Sequence, residues 1–228
     1  MKFSINAYIT VEAAARLLIT ANLDLLCKWT DKQAKRVLNE LLNIKMDDII
    51  NIIDADSKVH IHEINSSNIP QFGKIETVIC VPNVIIEDKI TNLDYVQMGF
   101  YLKKDPNASM LSNQKFGENH GKIAAQLGLI NCIEQRFFPS TITEVFINSY
   151  TIEEQRKIVN RLFVRIPIVK ILLQESKYRI VNGYDYMIGL THSTQERRGS
   201  SLRTIFEAMN DEDSKVMKER IKNIVWKK

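Results

Sequence analysis

Residues 112–130 read Ser112-Asn113-Gln114-Lys115-Phe116-Gly117-Glu118-Asn119-His120-Gly121-Lys122-Ile123-Ala124-Ala125-Gln126-Leu127-Gly128-Leu129-Ile130, and residues 193–209 read Ser193-Thr194-Gln195-Glu196-Arg197-Arg198-Gly199-Ser200-Ser201-Leu202-Arg203-Thr204-Ile205-Phe206-Glu207-Ala208-Met209. Each stretch opens with polar and basic residues, closes in an apolar stripe, and follows a shorter helical stretch and a break. In the second, Leu202, Ile205, Phe206 and Met209 fall at i, i+3, i+4 and i+7, the spacing of one buried helix face. In the first, Phe116, Ile123 and Leu127 form the stripe. A short helix, a turn and a second helix with a polar face is the pattern of helix-turn-helix units, whose second helix enters the DNA major groove.

Helical stepping of about 100° per residue puts Arg197, Ser200 and Thr204 opposite the second stripe, with Glu196, Arg203 and Glu207 at its flanks. Arg198 lies nearer the buried edge but in the first turns, from which a long side chain reaches a phosphate. Arginines interleaved with serines suit both bidentate guanine contact and phosphate contact. On the first helix Gln114, Glu118, Gly121, Lys122 and Ala125 lie opposite the stripe. Gly117 and Gly121 share one side, and each mid-helix glycine costs roughly 1 kcal/mol relative to alanine. Close approach of DNA and of a packed neighbouring helix explain that cost equally well. His120 projects toward the apolar side and reads as a satisfied core histidine. The DNA contacts expected from these faces are Gln114, Lys115, Glu118, Asn119 and Lys122 on the first helix, and Gln195, Arg197, Arg198, Ser200, Arg203 and Thr204 on the second.

Outward from these helices, residues 131–138 read as a strand-like wing before Pro139, and Thr91 as the cap of a helix through Leu93, Tyr95, Val96 and Phe100 that Asp105-Pro106-Asn107 ends. Residues 76–81 and 84–89 look like short β runs around Pro82-Asn83. Helices are expected over 141–149 and 151–163, and again after Ile166-Pro167. Residues 178–181 read as extended, Asn182-Gly183 as a turn, 184–190 as a short helix, and the tail with Val216, Ile221, Ile224 and Val225 as a final amphipathic helix. Toward the N-terminus, residues 10–54 read as helix, with Ala13, Leu17 and Leu18 on one stripe, Val37, Leu38, Leu41 and Leu42 on another, and Thr30 as an N-cap before Asp31. Val59 to Ile64 alternates apolar with polar, the mark of a half-buried strand. Ser66-Ser67-Asn68-Ile69-Pro70-Gln71 is the candidate linker, since Pro70 disfavours helix at Ile69. The expected units are therefore 1–65, 71–138, 139–175 and 176–228.

The 228 residues carry 31 basic and 27 acidic side chains, a net charge of +4. Residues 1–65 hold 8 basic and 9 acidic, and residues 66–228 hold 23 and 18, so the positive excess lies wholly in the later part. Such an excess points only weakly to nucleic acid. Cys27, Cys80 and Cys132 lie too far apart in sequence for a disulfide framework or a metal cluster. Glu12 and Arg16 interrupt the first apolar run, and no stretch approaches the ~20 apolar residues of a membrane span. A soluble cytoplasmic protein with no membrane partner is the expectation.

Catalytic groupings are sparse. Glu87-Asp88-Lys89 has the Glu-x-Lys spacing of a Mg²⁺-dependent nuclease, with Asp54 or Asp56 as an upstream acid. The spacing is loose, and a charged strand end before the Thr91 cap explains it more simply. His60 and His62 would share one face of a strand, but no third ligand has persuasive spacing.

Residues 72–210 resemble the winged-helix recognition domains of type II and type IIS restriction and nicking endonucleases and related restriction-associated proteins. The similarity rests on Asn113-Gln114-Lys115-Phe116-Gly117-Glu118-Asn119-His120-Gly121-Lys122 with Leu127-Gly128-Leu129-Ile130, on residues 141–146, on Arg165-Ile166-Pro167-Ile168, and on residues 193–203. It implies a mainly α protein with short β wings, in which tandem winged helix-turn-helix units read double-stranded DNA beside an N-terminal helical region. The expected function is sequence-specific binding without cofactor, as a recognition subunit or regulator of a restriction or defence locus, with a nuclease partner or a homodimer as the assembly. The alternatives are a Mg²⁺-dependent endonuclease using Glu87 and Lys89, and a winged-helix protein-interaction module.

Overall fold

The computed structural model describes residues 30–56, 59–87, 92–210 and 214–227; Ala13, Leu17, Leu18, Asp88, Lys89 and Thr91 lie outside them. Helices dominate these residues, with two small sheets. Helix α1 (Asp31–Asn43) starts at Thr30, whose hydroxyl accepts the Gln33 amide while the Gln33 side chain accepts the Thr30 amide. That reciprocal cap satisfies two otherwise orphaned donors. Ala34, Val37, Leu38 and Leu41 form its buried face, and Ile49, Ile50, Ile52 and Ile53 that of α2 (Met46–Ala55).

Three extended segments expected from the sequence are not strands. Residues 61–63 form a 3-10 turn, closed by the Ile64 amide donating to Ile61 O at 3.1 Å, the i→i+3 bond of a turn and not a strand ladder. The two β runs around Pro82 are one helix, α3 (Ile75–Glu87), with Pro82 inside it. Ile75, Val78, Ile79, Pro82 and Ile85 are buried on the helical period, and burial on that period outweighs the β preference of a Val/Ile-rich run. Nor is the 66–71 segment a free linker. Residues 66–68 make a 3-10 turn, and Ile69, Pro70 and Phe72 are buried.

Strand β1 (Leu93–Asp94) leads into α4 (Tyr95–Lys103), which is capped by Asp94: its carboxylate accepts the Gln97 amide at 2.8 Å. Lys104 closes α4 with φ +53°, and Asp105-Pro106-Asn107 turns the chain as the sequence predicts. Ser109 caps α5 (Met110–Gln126). At its C-terminus Leu129 N–H reaches Ala124 O and Gly128 N–H reaches Ala125 O, with Gly128 at φ +79°. This closing pair uses the left-handed backbone that glycine adopts without strain. Arg165 adds a cation there, its Nε donating to Gln126 O. Strands β2 (Asn131–Ile133) and β3 (Arg136–Phe138) follow as an antiparallel hairpin, and β3 also pairs with β1, giving the order β1-β3-β2.

Helices α6 (Thr141–Ser149), α7 (Ile152–Leu162), α8 (Pro167–Glu175), α9 (His192–Asn210) and α10 (Lys215–Lys222) complete the chain, with Ser140 and Thr151 capping α6 and α7 and Pro167 in the first turn of α8. Strands β4 (Val181–Asn182) and β5 (Ile224–Val225) pair in parallel across the α9–α10 crossover. The second winged unit expected from the sequence is therefore not built as one: a parallel pair needs a long crossover, whereas a wing is a hairpin. Residues 184–190, expected as a helix, reduce to a 3-10 turn over Gly183–Tyr186. The buried apolar residues of all these helices join in one cluster that includes α1 and α2.

Candidate functional site

Helices α4 and α5 touch through glycine. A Cβ on Gly117 would meet Tyr95 O at 2.0 Å and Gly99 N at 2.5 Å, and one on Gly99 would meet Asn113 O at 1.8 Å. Gly121 faces the Phe137 ring of β3. The glycine face thus packs against α4 and the hairpin, and a neighbouring helix rather than DNA explains it. Gly121 and Ala125, placed opposite the apolar stripe by helical stepping, are buried, while Phe116 is only half-buried. The stepping missed this because α5 is covered by the glycine-lined contact as well as by the stripe.

His120 is a buried core residue, as its position suggests. Its Nδ1 donates to Phe116 O at 2.8 Å, its ring lies 4.1 Å from that of Phe116, and burial pushes its pKa below the usual value against the raising effect of the Phe116 carbonyl.

What α5 leaves outward is a polar row. Gln114 and Lys115 are exposed, and Glu118, Asn119 and Lys122 are half-exposed. Lys122 Nζ sits 2.6 Å from Glu118 Oε1 and 5.5 Å from the Tyr95 ring centroid, so part of its charge is taken up within the fold. Lys103 from α4 donates to Ser112 at 2.6 Å and tethers the start of the row. Phe100, Met110 and Leu111, at the end of α4 and the start of α5, are exposed apolar residues.

On α9 the expected contacts divide. Arg197 and Ser200 are exposed. Gln195 donates to Met187 O at 3.1 Å, and Arg203 lies 5.6 Å from the Trp226 ring centroid with Nη1 3.4 Å from the Tyr184 hydroxyl, so both hold neighbouring segments. Thr204 donates back to Ser200 O. Arg198 donates from Nη1 to the carbonyls of Ser66 and Ile69, and Ser201 completes the attachment, its hydroxyl accepting from Phe72 N and donating to Phe72 O. These bonds bring residues 66–72 against α9 and place a cleft of about 200 Å³ between that segment, α9 and the outer face of α5. Its lining joins Glu118, Asn119, Lys122 and Arg198, which lie on two separate helices in the sequence, to Gln126, Ser66, Ser67 and Gln71, which the sequence did not single out as binding residues. Only the packing of the 66–71 segment reveals the second group.

The nuclease residues do not converge. Glu87 is exposed at the end of α3, and Lys89 lies outside the described residues. Asp54 accepts from Arg220 at 2.7 Å and Lys177 at 2.9 Å; burial raises its pKa, but those two cations outweigh it and hold the carboxyl below its usual value. Asp56 pairs with Lys170. His60 and His62 are exposed with stacked rings 5.4 Å apart. Among the described residues, no three His, Cys, Asp or Glu side chains come together as a metal-ligand set, and no helix is long and apolar enough to cross a membrane.

Compared with models of known families, with curated proteins and with solved structures, the chain matches none.

Proposed function

We propose that the protein binds double-stranded DNA, with residues 75–138 acting as a winged helix-turn-helix unit whose helix α5 enters the major groove. The observation that carries this reading is the order α3, β1, α4, α5, β2, β3 with the sheet order β1-β3-β2 and a polar outward row on α5. In such a unit the second helix of the turn supplies base contacts and the hairpin flanks it. Gln114 and Lys115 at the exposed start of α5 are the leading readers, since amide and ammonium groups match base-edge donors and acceptors in that groove. Helix α9 supplies flanking contacts through Arg197 and Ser200. The resemblance to restriction-associated recognition domains makes a recognition subunit or regulator of a restriction or defence locus the proposed context.

Duplex selection from a random pool, followed by anisotropy titration of the recovered site at several salt concentrations, tests the proposal. We expect a recovered motif, affinity that falls with salt, and a loss of about 1–3 kcal/mol of specific binding in Gln114→Ala or Lys115→Ala where the side chain reads a base. Failure to enrich any motif, with no salt-dependent duplex binding, refutes it. Plasmid cleavage in Mg²⁺ that vanishes in Glu87→Ala promotes the nuclease reading instead. Capture of protein through Phe100, Met110 and Leu111 without duplex binding promotes the interaction module.

A further inference from the structure

We propose that the cleft between α5, α9 and residues 66–71 seats one backbone phosphate of the duplex that α5 reads, so that the two long helices form a single footprint. This rests on the DNA-binding reading above. The charge of Arg198 is the first ground. Its Nη1 is spent on two neutral carbonyls and its Nε has no partner. Among the described residues no carboxylate forms an ion pair with it. Burial, with the neighbouring charge of Arg197, pushes its pKa down, so the fold holds a half-buried cation at a cost that an arriving anion would relieve.

The second ground is geometric. Lys122 lies on the opposing α5 wall of the same cleft, and its partner Glu118 neutralises only one of the two cations, leaving a net positive pocket of about 200 Å³. The third is placement. Lys122 is two turns beyond Lys115 on the outward row of α5, so with α5 in the major groove the cleft lies where the groove wall, a phosphate backbone, flanks the helix. Backbone contacts of this kind fix register without reading sequence.

The test uses the full chain and its selected duplex, with each phosphate near the motif replaced in turn by a neutral methylphosphonate. Wild type should show a position where neutralisation weakens binding several-fold. In Lys122→Gln, folded by circular dichroism, that position should lose its sensitivity, and the slope of log affinity against log salt should fall by about 0.9. Lys122→Arg should keep both. An unchanged slope with undiminished sensitivity in Lys122→Gln overturns the inference while leaving duplex binding intact, and a wild type that binds no duplex overturns both. Lys122-dependent thermal stabilisation by inorganic phosphate over matched chloride, without DNA, would assign the cleft to a free anion and overturn the backbone assignment.

Discussion

At Gly117 an added methyl group would have to displace backbone, because the Tyr95 carbonyl and the Gly99 amide both stand within 2.5 Å of its position. Helix propensity alone would reward alanine there by about 1 kcal/mol. The close contact opposes that gain, since neither atom belongs to a flexible side chain. Gly117→Ala is therefore expected to lower stability by about 1–3 kcal/mol, read as a drop in the urea midpoint. Gly73→Ala is its control, as a Cβ at Gly73 meets nothing within 4 Å. A Gly117→Ala protein as stable as wild type would mean that α4 and α5 do not cross at glycine. The sequence marks these glycines as unusual, but the object approaching them is legible only once Tyr95 and Gly99 are placed on the adjoining helix.

Among elements, the hairpin β2–β3 has a two-residue loop, Glu134 and Gln135, both with positive φ (48° and 64°). A tight turn of this kind prefers Asn-Gly, and side chains larger than Asn strain the left-handed backbone. Gln135→Gly is accordingly expected to raise stability by about 0.5–1 kcal/mol, after the entropy that glycine gains in the unfolded chain is deducted. A lowered urea midpoint would contradict this turn geometry. The strand-like character of residues 131–138, the α1 cap at Thr30, the restart of helix at Pro167 and the α9 stripe Leu202, Ile205, Phe206 and Met209 are legible in the sequence, because each depends on near neighbours; the reversal at Glu134-Gln135 is not, since neither residue is a usual former of so tight a turn. Helix α3 is not. Its Val/Ile run carries β propensity, and only its burial against other helices selects the 3.6-residue period. The strand expected over 59–64 fails for the complementary reason: alternation is present, but among the described residues no strand pairs with it.

Across the whole molecule, the N-terminal helices are tied to the rest by long-range polar contacts as well as by the shared core. Tyr150 bonds Asn39 Oδ1 at 2.8 Å, Arg161 Nε donates to Ile44 O at 3.0 Å, and Asp54 joins Arg220 and Lys177. Arg198 and Ser201 fix residues 66–72, so the segment that reads as a linker sets the distance between α5 and α9 and shapes the cleft between them. The exposure of Gln114 and the partial exposure of Glu118 and Lys122 are legible from helical stepping; the internal roles of Arg198, Arg203 and Gln195 are not, since a helix wheel does not show which side chain another segment will occupy. On the proposed DNA-binding reading, the exposed start of α5 lies in the major groove of a duplex. A photoreactive amino acid in place of Lys115, irradiated in complex with the selected duplex, tests it most directly: the predicted result is an adduct on a base edge inside the recovered motif, and a stable complex without any adduct from position 115 would contradict it.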